Sequence, residues 1–137
     1  MKKIICCLVL VFSFPLYADI TGKKLLCIGD PEKFEFFGIE FYHYSKLKYW
    51  EGQDTGSVIE RERPYKALPK RIEILQWAIE VRELFIDRKN LKAYNDDHKN
   101  KTLRYLGQCE ITEENVAYTI QNLVREEYEK QAEGNKL

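Results

Sequence analysis

Catalytic motifs and membrane-spanning segments are scarce in this 137-residue sequence. The most extended apolar segment, Ile4–Phe14, covers 11 residues, whereas a helix needs about 20 to cross a bilayer. Beyond that segment the chain has two serines and two histidines, with no Gly-x-Ser-x-Gly elbow and no glycine-rich phosphate loop. The sequence therefore gives little support to nucleophilic catalysis or nucleotide binding, and its length is sufficient for one domain.

The N-terminus has the three parts of a secretory signal peptide. Lys2 and Lys3 supply the positive charge, Ile4–Phe14 is the apolar segment, and Pro15–Ala18 is a short segment that ends in a small residue. We predict that this leader, residues 1–18, is cleaved near Ala18. The mature protein, residues 19–137, is then a single domain in the periplasm or outside the cell.

Positive and negative charges are nearly balanced in the mature chain. Without the leader, 20 basic residues face 22 acidic ones, which gives no electrostatic reason to bind nucleic acid or an anionic membrane. After cleavage no remaining segment is long and apolar enough to span a membrane. We predict no cofactor and no metal site, because His98 follows Asp96 and Asp97 but lacks further ligands at the usual spacing.

Cysteine usage predicts one disulfide bond. Cys6 and Cys7 lie within the leader, so Cys27 and Cys109 remain in the mature chain. In an oxidising compartment we expect these two cysteines to be joined, which stabilises the fold by about 4–5 kcal/mol in the chain-entropy model. Two free thiols are the alternative, and a zinc site is disfavoured because neither cysteine has a second ligand nearby.

Residues 22–110 have the pattern of short β-strands, since aromatic and β-branched residues are concentrated there. Residues 71–94 also fit a helical face, but a turn at residues 87–90 and the β-branched content favour strands. We predict a bulge or bend at Gly38 and an edge position for the strand that contains Pro64. A loop of residues 95–101 is predicted before the last strand. The predicted strands are Lys23–Ile28, Phe34–Phe37, Ile39–Tyr44, Leu47–Trp50, Val58–Lys66, Arg71–Leu75, Trp77–Phe85, Leu91–Tyr94 and Thr102–Glu110.

The C-terminal segment changes from strand to helix periodicity. Thr112 is the predicted N-cap of an amphipathic helix over residues 113–131, with Ile111 packed on Val116. Short antiparallel strands with one terminal helix predict a mainly β fold of the α+β type. The strands form an antiparallel sheet or a small, partly closed β-barrel, and the disulfide ties its first strand to its last or joins two neighbours of an open sheet.

The segment Phe34–Trp50, called the aromatic block, is the most aromatic part of the chain and provides the candidate binding surface. Its candidate ligand- or partner-binding residues are Phe41, Tyr42, Tyr44, Tyr49 and Trp50. Tyrosine and tryptophan are enriched at interfaces, but we favour the alternative that these residues fill the core and lie beneath the terminal helix.

Three short motifs carry a resemblance: Thr21-Gly22-x-x-Leu25-x-Cys27, Gly38-Ile39-x-Phe41 and Ile86-Asp87-Arg88-x-x-Leu91. The chain resembles a loose group of small exported bacterial proteins with one disulfide, which implies no activity for named residues. The positions of the two cysteines are also similar to those in the small β-barrels of periplasmic lysozyme inhibitors. That likeness is one of architecture alone.

The sequence leaves three functional hypotheses. The first is a non-enzymatic binding or interaction module of the periplasm or exterior, whose partner is a small molecule or an envelope protein. The second is a small envelope hydrolase that uses carboxylates. The third is an accessory subunit that docks through its C-terminal helix.

Overall fold

The computed structural model describes residues 19–75, 82–97 and 100–135. The predicted leader, the first part of the predicted strand at residues 77–85 and His98 lie outside these residues. The described residues form eight strands, a short 3-10 helix at Pro31–Lys33 and a helix α1 at Val116–Gly134. The strands are β1 Lys24–Ile28, β2 Phe36–Glu40, β3 Lys46–Gly52, β4 Val58–Ala67, β5 Arg71–Ile74, β6 Arg82–Asp87, β7 Lys92–Asp97 and β8 Thr102–Ile111.

The strands form a closed antiparallel β-barrel in which each strand pairs with the next along the chain. β8 returns to pair with β1, with Leu25 opposite Ile111 and Leu26 opposite Glu110. The predicted mainly β, antiparallel fold with a C-terminal helix is confirmed. The barrel is fully closed, so the open-sheet alternative is wrong, and all the described strand segments belong to one sheet.

The predicted disulfide joins the two strands at the barrel seam. Cys27 and Cys109 are direct register partners on β1 and β8, and they are bonded across a sequence separation of 82 residues. Both side chains are buried in the barrel interior. Because the bond fixes the first strand beside the last, it removes much of the loop entropy that the unfolded chain would otherwise gain.

Inward-facing residues alternate with outward-facing ones along each strand. The apolar residues that face inward form one hydrophobic core inside the barrel. At one end of the barrel the Phe41 ring packs edge-on against Tyr65, with 5.0 Å between centroids. The Tyr65 hydroxyl donates a hydrogen bond to the His43 carbonyl at 2.8 Å. These contacts close that end. The buried residues of this core are Leu25, Cys27, Phe37, Ile39, Phe41, Leu47, Tyr65, Ile72, Ile74, Leu84, Ile86, Ala93 and Cys109.

A second core lies outside the barrel, beneath α1. The buried helix residues Val116, Ile120 and Val124 pack against the outward-facing residues Leu26, Phe36 and Trp50, together with Phe34. Glycine lets the helix approach the sheet closely, because a Cβ at Gly38 would overlap Val116 and a Cβ at Gly52 would crowd Val124. Among the described residues, no helix combines the length and apolarity that crossing a bilayer requires.

Several predicted boundaries need correction. β2 runs unbroken through Gly38 as Phe36–Glu40, so the predicted bulge is wrong. Phe34 lies instead in the left-handed conformation that ends the 3-10 helix. The predicted strand Ile39–Tyr44 ends earlier, and residues 41–45 form the loop to β3. The strand stops there because the pairing of β2 with β3 ends at Glu40 opposite Lys48.

The predicted edge position of β4 is wrong, since β4 lies between β3 and β5 in the closed barrel. Within the described residues, the part of β4 that pairs with β5 is its end, from Tyr65 to Ala67. The preceding part of β4, including Pro64, pairs there with β3. Proline is tolerated because its missing N–H falls outside the β5 ladder.

The last two elements also differ from prediction. β7 continues to Asp97, where a loop had been expected from Asn95, because Asn95 and the two residues after it pair with β8. The helix begins three residues later than predicted, since Asn115 is its N-cap and its side chain accepts a hydrogen bond from the Tyr118 N–H at 3.1 Å. Ile111 ends β8 and is 58% exposed, so it does not pack on Val116.

Candidate ligand-binding cavity at the barrel mouth

The end of the barrel opposite Phe41 and Tyr65 is open and contains a cavity of about 550 Å³. Its lining residues come from residues 33–37 at the start of β2, from the end of β3 and the loop after it, from the middle of β4, and from β5, β6, β7 and β8. This end is called the mouth below. Its cavity falls in the size range of small-molecule sites in proteins, roughly 300–1,000 Å³.

The floor of the cavity is apolar. Phe37, Ile74 and Leu84 belong to the barrel core and also line the cavity, and Leu106 packs beside them. The ring of Tyr49 lies next to Phe37, with 5.7 Å between centroids. A ligand that enters the mouth therefore contacts a hydrophobic and aromatic surface that is also the end of the barrel core.

Two arginines of β4 line one wall. Arg61 pairs in register with Tyr49, and Arg63 pairs with the fully buried Leu47. Antiparallel partners share one face of a sheet, so both arginines lie on the inner face. In the described part of the chain, neither arginine forms an ion pair with a carboxylate within 4.0 Å.

The opposite wall is formed by β7 and β8. Arg104 at the start of β8 forms an ion pair with Glu35, and the other Glu35 oxygen accepts a hydrogen bond from the Asp30 N–H at 3.0 Å. Beside this pair, Asn95 presents a buried Oδ1 that has no hydrogen-bond partner. Because an unsatisfied buried acceptor costs free energy, about 1–3 kcal/mol, such an atom in a cavity indicates a missing partner.

Tyr49 lies near the charged side chains of Glu51, Arg61 and Arg63. Its burial, together with the carboxylate of Glu51, raises the pKa of the phenol, and the nearby Arg61 and Arg63 oppose that rise. The phenol is therefore neutral at physiological pH and can donate or accept a hydrogen bond inside the cavity.

The five predicted binding residues do not form one surface. Phe41 plugs the closed end of the barrel and Trp50 is covered by α1. Only Tyr49 lines the mouth cavity. Tyr42 and Tyr44 are exposed in the β2–β3 loop at the closed end. Binding by these residues stays a prediction, with Tyr49 as the one placed in a cavity.

The exposed tyrosines at the closed end have contacts of their own. The Tyr42 phenol hydrogen-bonds to the Glu62 carboxylate, which raises the pKa of Tyr42 to about 12 and lowers that of Glu62. Lys48 lies 5.7 Å from the centre of the same ring. His43 approaches the Ser45 hydroxyl at 3.2 Å through Nδ1. This loop is a turn anchored by these side-chain contacts.

Sequence reasoning missed the polar groups of the mouth. Arg61 and Arg63 belong to a strongly charged stretch that looks solvated, and Asn95 belongs to a predicted loop. The available signal was the two-residue spacing of Arg61, Arg63 and Tyr65, which places both arginines on the face of a core tyrosine. It becomes informative only once the register of β4 is known.

Two further findings concern cofactors and relatives. Among residues 19–75, 82–97 and 100–135, no three Cys, His, Asp or Glu side chains gather as a set of metal ligands. Comparison with protein-family models, curated proteins and solved structures finds no match to this chain.

Proposed function

We propose that this protein is an exported, non-enzymatic binding module that takes a small molecule into the mouth of its barrel. The observation that carries the proposal is the open cavity of about 550 Å³, with an apolar floor and walls that hold polar groups without partners. Concave sites of this size hold small molecules in many proteins, and the lining of this one is more polar than apolar.

Export is part of the proposal and has two supports. The N-terminal sequence has the parts of a signal peptide, and the disulfide between Cys27 and Cys109 is of the kind that persists in oxidising compartments. The resemblance to small exported bacterial proteins with one disulfide agrees with both.

The alternatives have weaker support. The apolar stripe that suggested docking through the helix is used inside the molecule, where Ile120 and Val124 are fully buried. Hydrolysis by carboxylates has Glu35 and Glu51 at the cavity, but Glu35 is held by Arg104 in an ion pair. Both alternatives stay predictions.

The test measures binding of a neutral fluorescent probe, N-phenyl-1-naphthylamine, to the mature, oxidised protein. We expect fluorescence enhancement that saturates at one probe per chain. Leu106→Trp fills the cavity and should abolish this binding, because Leu106 lies at the cavity surface.

Leu103→Trp is the matched control, since Leu103 lies on the same strand and is 58% exposed. It should bind the probe like the wild type. Thermal unfolding of each variant separates blocked binding from loss of the fold, and Leu106→Phe serves as a milder filling variant. Equal binding by the Leu106 and Leu103 variants would refute the proposed cavity function.

A further inference from the structure

The two β4 arginines differ from the other cations at the mouth. Arg104 has Glu35 as its partner, and Lys33 has Asp30 at 3.5 Å. Arg61 and Arg63 stand two residues apart on one inner face, with no ion pair in the described part of the chain. The mouth therefore carries two neighbouring guanidinium groups on one wall without a direct counter-ion.

Spacing makes this pair suited to one anionic group. Residues i and i+2 of a strand are about 7 Å apart along the chain, and guanidinium groups bind carboxylate, sulfonate and phosphate oxygens in a planar, often bidentate geometry. Two like charges at this spacing repel each other in the empty cavity. An anion placed between Arg61 and Arg63 removes that repulsion.

Carboxylates already at the cavity do not fill this role. Glu51 is next to Tyr49, where its charge raises the pKa of the phenol. Asp54 is exposed in the β3–β4 loop. Neither lies within 4.0 Å of a guanidinium nitrogen of Arg61 or Arg63.

The remaining walls define the rest of the ligand. β4 and β8 are four strands apart in a ring of eight, so they face each other across the mouth. Asn95, on the strand beside β8, offers an acceptor without a donor. Between the two walls the floor is apolar, with Ile74, Leu84 and Leu106.

From this arrangement, and on the basis of the proposed cavity function, we infer that the ligand is a small amphipathic organic anion. Its acidic group binds between Arg61 and Arg63, and its apolar or aromatic body lies on the cavity floor. A neutral molecule of the same shape uses the floor but leaves the arginine pair unsatisfied.

Two probes with one skeleton test this inference. 1-Anilinonaphthalene-8-sulfonate carries an aromatic body, an N–H group and a sulfonate, and N-phenyl-1-naphthylamine is the same molecule without the sulfonate. We expect the wild-type protein to bind the anionic probe about tenfold or more tightly than the neutral one, as hydrogen bonds to charged groups imply. Raising the ionic strength should weaken the anionic probe selectively.

Arginine variants locate the effect. Arg61→Gln/Arg63→Gln should remove the preference for the sulfonate and leave the Kd of the neutral probe within about twofold, because floor contacts persist. Arg61→Lys/Arg63→Lys should keep part of the preference, since charge remains but the bidentate geometry is lost. Lys66→Gln/Lys70→Gln removes the same charge from exposed positions and should bind both probes as the wild type does.

The outcomes separate the two proposals. If the neutral probe binds in a way that Leu106→Trp blocks, but the anionic probe gains nothing from Arg61 and Arg63, the anion inference is wrong and the cavity function stands. If Leu106→Trp affects neither probe, the cavity function fails and the inference fails with it. A carboxylate and a phosphate of the same aromatic body, used as competitors, then show which acidic group the arginines prefer.

Discussion

The two ends of the barrel are built by the same strands and have opposite characters. At the closed end, Phe41 and Tyr65 pack ring against ring over a fully buried Leu47. At the mouth, the same strands present Arg61, Arg63 and a cavity of about 550 Å³. The two ends differ in the side chains placed on the inner face, and they also differ in strand pairing, since within the described residues β4 pairs with β5 only from Tyr65 to Ala67.

Polarity increases along the barrel axis on several strands. On β4 the inner face changes from Tyr65 to Arg63 and then to Arg61, and on β7 it changes from the buried Ala93 to Asn95. The closed end thus supplies stability through burial of apolar area. The mouth accepts polar groups without partners, which is a cost that a ligand can offset.

The largest expected change in stability comes from a substitution at the closed end. Phe41→Ala removes a ring that is 1% exposed, and we expect it to lower the free energy of unfolding by about 3–5 kcal/mol, through lost burial and the cavity left behind. Urea unfolding of the mature, oxidised protein measures this. Tyr44→Ala, in the same loop but 78% exposed, should change stability by less than about 0.5 kcal/mol. Similar values for the two variants would contradict the assignment of Phe41 as a plug.

At the mouth, removal of a polar group should have the opposite sign. Asn95→Leu replaces the unpartnered amide by an apolar group of similar shape. It should raise the free energy of unfolding by about 1 kcal/mol, because the buried Oδ1 no longer lacks a partner.

Asn95→Asp is the matched control for this change. It keeps an acceptor oxygen in place and adds a charge, so it should lower stability, since an unpaired buried charge costs more than a neutral acceptor. A destabilised Asn95→Leu protein would show that the amide is satisfied in solution and that the mouth is not strained by it.

Local sequence pattern was sufficient to predict the fold class and the disulfide. Alternation and aromatic content mark most strands, and only Cys27 and Cys109 lie outside the predicted leader. Strand ends were less predictable where pairing overrides composition. Asn95 belongs to a polar stretch that resembles a loop, yet its pairing with Arg104 on β8 holds it in a strand.

The candidate site was not predictable to the same degree, because barrel closure determines which residues face inward. In the sequence, Trp50 and Tyr49 are neighbours of equal promise, but alternation sends Trp50 under the helix and Tyr49 into the cavity. The inward orientation of Arg61 and Arg63 is not visible until their partners on β3 are known. Sequence alone therefore could not determine which of these side chains face the cavity.

The smallest expected effect lies at the boundary between the two ends, where Tyr49 is held neutral. Burial and Glu51 raise the pKa of its phenol above the ordinary value of 10.0, in spite of Arg61 and Arg63. Above pH 10 the unfolded chain loses this proton while the folded protein keeps it, so the unfolded state binds fewer protons and stability falls as pH rises. The contribution is fully present below pH 10 and is lost toward the folded-state pKa.

Tyr49→Phe removes this titration and keeps the ring against Phe37. Urea unfolding from pH 8 to pH 11 should therefore show a steeper loss of stability for the wild type than for the variant, by up to about 1 kcal/mol per pH unit above pH 10. Tyr42 and Tyr65 also have raised pKa values, but they are present in both proteins and cancel in the comparison. Parallel curves would mean that water reaches the Tyr49 hydroxyl freely, and the boundary between closed end and mouth would then lie deeper in the barrel, at Leu47.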